Sequence, residues 1–158
     1  MGESQPASPG VTEPDPATAA MHASVPILGA MGIRVLEADA GSARVLLPLA
    51  PNRNHVGSIY AGSLLSAAEV LGGLIGLAQG HDGFVPIVSQ IEIDYLRPAT
   101  TDAVAATTFT TEQQKQVRED AAREGRARFV LEVSVSDAAG TEVARAVGHY
   151  QLRRVATL

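Results

Sequence analysis

Glu69 is the single ionisable side chain in the stretch AGSLLSAAEVLGGLIGLAQG (61–80). A carboxylate among apolar neighbours costs desolvation energy, so a chain that keeps one needs its chemistry or gives it a partner. Desolvation also raises the carboxyl pKa, which suits a general base or nucleophile working near neutral pH. The alternative for Glu69 is structural, as the partner of an arginine or a cap on a neighbouring strand. The preceding polar loop, NRNHVGSIYAG (52–62), adds Asn54, His55, Ser58 and Tyr60. Asn54 either orients a reacting group or staples its own turn through side-chain-to-backbone bonds. His55 reads as an exposed loop histidine.

Other chemistries are excluded by pattern. Ser58, Ser63 and Ser66 sit in no G-x-S-x-G elbow. Gly72, Gly73 and Gly76 lie within a helical pattern and precede no Lys-Ser/Thr, so they form no phosphate loop. His22, His81 and His149 share no metal-ligand spacing with each other or with acids. With no cysteine there is no disulfide, thiolate site or cysteine nucleophile. Arg97, Arg123, Arg126 and Arg128 could meet a phosphate, since guanidinium suits that geometry, with Arg97 the preferred one.

The elements that must hold these residues follow from periodicity. Residues 17–31 read as a short helix broken near Pro26. Segments 32–39 and 42–50 form an antiparallel hairpin across Ala40–Gly41, with Ala43, Val45, Leu47 and Leu49 on one face. The helix from about Gly62 ends near Gly80, where glycine can take the left-handed capping conformation. Strands follow at 84–99, 102–111, 126–137 and 141–154, with a charged, helix-prone connection over 112–125. One long helix with about six mainly antiparallel strands is an α+β pattern, the sheet wrapping the helix.

At 158 residues the chain suits one domain, placed at 21–154, between a Pro-rich tail over 1–20 expected to be disordered and a short C-terminal tail, 155–158. Net charge is −5, and three of the acids fall within residues 1–20. No basic field is present, so nucleic acid is not an expected partner. The N-terminus has neither the cationic start nor the apolar run of a secretory signal. Glu69, Gln79 and the glycines argue against a membrane-spanning helix, and the expected location is cytoplasmic.

Gly62, Ser66, Glu69, Gly73 and Gly76 recur every three or four residues and form one stripe along the helix. An interior glycine costs roughly 1 kcal/mol against alanine, so Gly72, Gly73 and Gly76 predict close approach by another backbone or a ligand, and Glu69 on the stripe faces a groove. The order N-x-x-G-x-x-x-A-G-(x6)-E, carried by Asn54, Gly57, Ala61, Gly62 and Glu69, is followed by a strand ending Tyr95-Leu96-Arg97-Pro98-Ala99. It resembles the hotdog-fold acyl-CoA thioesterases, nearest the phenylacetyl-CoA and 4-hydroxybenzoyl-CoA thioesterase clade, over about residues 20–154.

The resemblance implies a hotdog fold and hydrolysis of an acyl-CoA-type or acyl-carrier thioester to acid and thiol. Glu69 then acts as base or nucleophile, the Ala61 backbone N–H as oxyanion donor and Asn54 as orienting group. Gly57, Tyr60, Gly62, Ser66, Gly73 and Arg97 line the substrate. The resemblance further implies a homodimer or dimer of dimers with interfacial active sites, and neither metal nor cofactor beyond the CoA moiety of the substrate. Two positions depart from the pattern. Tyr60-Ala61-Gly62 stands where many relatives have His-Gly-Gly, and Gly73 stands where they often carry a hydroxyl residue. The rival readings are an acyl-CoA-binding module without turnover and a hotdog hydratase or dehydratase, for which His55 is the one histidine near the motif.

Overall fold

The computed structural model describes residues 14–155, so the tail calls over 1–13 and 156–158 lie outside the described residues. The structured part starts earlier than residue 20. Asp15 caps helix α1 (Pro16–Ser24) by accepting from the N–H groups of Ala17 and Thr18. The Thr18 hydroxyl in turn accepts from Val35 N–H at 2.9 Å, tying α1 to the first strand. Pro26 opens α2 (Pro26–Ala30), which accounts for the predicted break.

Six strands follow the predicted order: β1 (Arg34–Ala38), β2 (Ser42–Leu47), β3 (Phe84–Tyr95), β4 (Ala103–Thr108), β5 (Arg126–Asp137) and β6 (Glu142–Arg154). They form one antiparallel sheet in the order β1-β2-β4-β5-β6-β3, leaving β1 and the twelve-residue β3 as edges. Alternation works as expected: Ala43, Val45 and Leu47 are buried, as are alternate residues from Ala127 to Val135. The core helix α3 (Ala61–Ala78) packs against β2, β3, β4, β5 and β6. Leu64, Ala67, Ala68, Leu71 and Ile75 are buried there, against Leu47, Leu131, Val135 and Leu152 of the core. This is the hotdog arrangement, a long helix held by an antiparallel sheet. By length and a mean hydropathy of 1.6, α3 alone among the described helices could cross a membrane, yet half of it is buried within the fold.

The charged connection is helix α4 (Thr111–Glu124), framed by a Thr110/Gln113 capping box and a left-handed Gly125. It buries Val117 and Ala121 and packs along β5, so it covers the sheet as well as carrying charge.

Candidate functional site

The loop before α3 is built by short polar bonds. Buried Asn52 donates to the carbonyls of Met31 and Pro48, both at 2.7 Å, while its own carbonyl accepts from Tyr60 N–H. Asn54 Oδ1 accepts from Val56 and Ser58 N–H, and its Nδ2 donates to the Ser58 hydroxyl at 3.0 Å. Gly57 completes that turn with φ of +86°, a conformation that favours glycine. Asn54 therefore organises the loop through these bonds. His55 is exposed.

The two motif segments, far apart in the chain, meet at the start of α3. Ile59 N–H donates to Ala99 O at 2.8 Å, and the Tyr95 hydroxyl donates to Ala61 O at 3.0 Å. Tyr60 occupies the N-cap position without a side-chain cap, and the first turn carries no acid. Among the described residues nothing accepts from the N–H of Ala61 or Gly62, so the positive end of the helix presents unmet donors. Gly62 leaves room for the Tyr60 ring, which a Cβ there would meet at 2.4 Å.

Two turns on, Glu69 is half-buried, and burial raises its carboxyl pKa above the usual glutamate value. Among the described residues no hydrogen bond or ion pair reaches its carboxylate, so the Arg partner of the structural alternative is absent. Tyr150 stands close by: its hydroxyl donates to Glu69 O at 3.0 Å, and burial together with the Glu69 charge pushes the phenol pKa up. Ser66 donates its hydroxyl to Gly62 O at 2.8 Å.

The glycine stripe divides. A Cβ on Gly73 would meet nothing within 4 Å, so the helix is open beside Glu69. Gly72 and Gly76 instead face the sheet, where a Cβ would lie 1.9 Å from the Tyr150 ring and 2.5 Å from Pro86. The close approach predicted for all of them is thus made by core side chains at Gly72 and Gly76. Arg97 is exposed, and its guanidinium donates to Glu142 O at 2.6 Å. Arg123 binds Asp120 and Glu124, and Arg126 lies 3.7 Å from Glu124. Among the described residues no three acids or histidines converge as metal ligands.

A concavity of about 1100 Å³ lies elsewhere. It is lined by residues of all six strands, among them the exposed Arg44, Glu92, Glu132 and Arg145. Its charges are partly matched, with Arg145 3.6 Å from Asp94 and Arg44 3.9 Å from Glu37. The chemistry-bearing residues are on α3, and a carboxylate with unmet N–H donors on one helix outweighs cavity size as a guide to the site.

Sequence reasoning missed Asn52 and Tyr150. Tyr150 lies on the alternating inward face of β6, but its partner is 81 residues away in the chain, and no local pattern reports that.

The family model described as a domain of unknown function, DUF4442, matches residues 16–152. Among solved structures, a Pseudomonas aeruginosa protein of unknown function, described as a probable thioesterase, is 33% identical. That match covers 89% of this chain and 97% of the other, with a TM-score of 0.78. A Chlorobaculum tepidum protein of unknown function is 20% identical over 87% and 91% of the two chains, TM-score 0.79. A Haemophilus influenzae thioesterase is 15% identical over 82% and 83%, TM-score 0.67. The last two share the fold alone. No protein of curated function matches the chain. The match over 16–152 and the 33% identical relative establish that the chain belongs to the DUF4442 family, as a thioesterase-like protein of hotdog fold.

Proposed function

We propose that the protein hydrolyses an acyl-CoA-type thioester to a carboxylic acid and free thiol. The observation that carries the reading is Glu69: half-buried, raised in pKa, without a hydrogen-bonded or ion-paired partner among the described residues, and beside the open position at Gly73. As base, its carboxylate takes a proton from water as the water oxygen attacks the thioester carbonyl carbon. The Ala61 N–H holds the resulting oxyanion, and the C–S bond breaks as the proton passes from Glu69 to the departing sulfur. As nucleophile, Glu69 would instead attack the carbonyl carbon and expel the thiolate, and water would then open the mixed anhydride to the acid and free Glu69. Asn54 shapes the loop over which the thioester lies.

We propose that two protomers share this site. Ala61 and Glu69 are eight residues apart on α3, about 12 Å along the axis at helical rise. A glutamate leaning toward the helix N-terminus recovers only about 5 Å of that. About 7 Å then separates the two groups, a long span for one thioester carbonyl and its attacking water. A homodimer resolves the conflict, with Ala61 from one protomer and Glu69 from its partner serving one substrate. The long outer edge of β3 supports this reading, because it offers unpaired backbone to a second copy.

Complementation tests it. Glu69→Gln and Ala61→Pro should each release less than about a hundredth of the wild-type thiol from a panel of acyl-CoAs. Proline is tolerated at the first helical position, so Ala61→Pro deletes the N–H with little cost in stability. Unfolding and refolding the two variants together should restore about a quarter of wild-type activity, the share of intact sites under random pairing. No recovery, with both variants folded, would sink the shared site; full activity in Glu69→Gln would sink the mechanism. Gly73 favours a second reading, an acyl-CoA-binding module, because no hydroxyl stands one turn beyond Glu69 to hold water. That reading predicts bound but uncleaved acyl-CoA.

A further inference from the structure

We infer that Tyr150 and Tyr95 are positioning residues that clamp the two reacting points of α3 to the sheet. Tyr150 holds the turn that carries Glu69, and Tyr95 holds the turn that carries the Ala61 amide. The inference rests on the thioester-hydrolase reading for its catalytic meaning. Both hydroxyls donate to main-chain carbonyls of α3, at 3.0 Å each, and the carbonyls are those of Glu69 and Ala61. In a regular helix each of these carbonyls already accepts from the N–H four residues on, so the phenol adds a second bond that the helix does not need for its own sake.

The Tyr150 ring is seated by residues chosen to admit it. A Cβ on Gly72 would fall 1.9 Å from the ring, and one on Gly148 would fall 2.5 Å from it. Phe129 stacks on the ring with centroids 5.2 Å apart and an interplanar angle of 15°. The ring therefore cannot shift without displacing α3 or β6, and the Glu69 turn is fixed with it. Burial and the Glu69 charge keep the Tyr150 phenol protonated, and burial with the neighbouring Tyr60 does the same for Tyr95, so both remain donors at working pH. The inward faces of the strands around α3 are otherwise apolar or carry Thr107, leaving these two phenols as the titratable groups that face the helix from the sheet. Tyr150 is the one of the two that feels Glu69.

Tyr150→Phe keeps the ring and removes the bond. The Glu69 carboxyl is titrated by ¹³C NMR in wild type, Tyr150→Phe and Tyr95→Phe, with Leu131→Val as a core control of reduced stability, and thiol release is measured on the same samples. In Tyr150→Phe the Glu69 midpoint should move down toward the ordinary glutamate value, because a turn released from the sheet leaves the carboxyl less buried. Its kcat should fall about tenfold with KM within about twofold, as displacement of a reacting group predicts. Tyr95→Phe should lose kcat similarly and leave the Glu69 midpoint in place. Leu131→Val should leave the midpoint and KM unchanged. An unmoved midpoint in Tyr150→Phe overturns its role, and an unimpaired Tyr95→Phe overturns the other half of the clamp. Wild type that releases no thiol refutes the hydrolase reading, while the titration still decides whether Tyr150 positions Glu69.

Discussion

Glu69 makes its own thermodynamic prediction. Burial raises its folded pKa above the unfolded value, so the protonated form is the one that folding favours. Its contribution is favourable below the ordinary glutamate range and is lost as pH rises through the raised folded value. Glu69→Gln should therefore melt at a higher temperature than wild type at pH 7, and the gain should vanish in scans below about pH 4. Its glycine neighbours predict opposite signs one residue apart. Gly73→Ala should stabilise by about 0.5–1 kcal/mol in urea unfolding, since the added methyl meets nothing. Gly72→Ala should destabilise by about 1–3 kcal/mol, because its methyl meets the Tyr150 ring. Gly73→Ser should be accepted by the fold and raise turnover by supplying a hydroxyl one turn from Glu69. The sequence placed Glu69 on a stripe of small residues, and the open side at Gly73 agrees with that. It did not separate Gly73 from Gly72 and Gly76, since helical spacing shows which residues share a face but not which face a distant tyrosine or proline will fill.

At the scale of elements, the strands were legible because alternation and glycine turns mark them locally. Residues 126–137 form β5 with the bounds expected, and the hairpin turns at Ala40–Gly41. The long edge strand was read too far: β3 stops at Tyr95, after which Leu96 and Arg97 N–H both turn to Val143 O and Ala99 O receives Ile59 N–H. Extended backbone that leaves the ladder looks like strand in sequence. That departure is useful, because it lets the segment after β3 brace the loop before α3. Disturbing the brace should be felt at the helix start. Asn52→Ala removes two bonds to the carbonyls of Met31 and Pro48 and leaves buried acceptors unmet. It should cost about 2–3 kcal/mol and should raise amide exchange at Ile59 and Tyr60, whose N–H groups are bonded there, measured by NMR.

For the whole molecule, the exposed edge of β3 and the axial rise of about 12 Å from Ala61 to Glu69 favour a dimer that takes part in the reaction. Activity per chain should then fall on dilution in step with the loss of dimer in sedimentation, and the melting temperature should rise with protein concentration. A monomer active at every dilution would refute this. None of it was legible from composition, since a net charge of −5 and an ordinary hydrophobic content are compatible with any assembly.

The concavity of about 1100 Å³ on the outer sheet face bears on how inhibitors should be sought. It has charged handles of both signs in Arg44, Arg145, Glu92 and Glu132. Fragments that settle there would bind and leave turnover untouched. Screening should be read by thiol release, with Glu69→Gln as the counter-screen, so that compounds are ranked by the helix face where the chemistry is proposed.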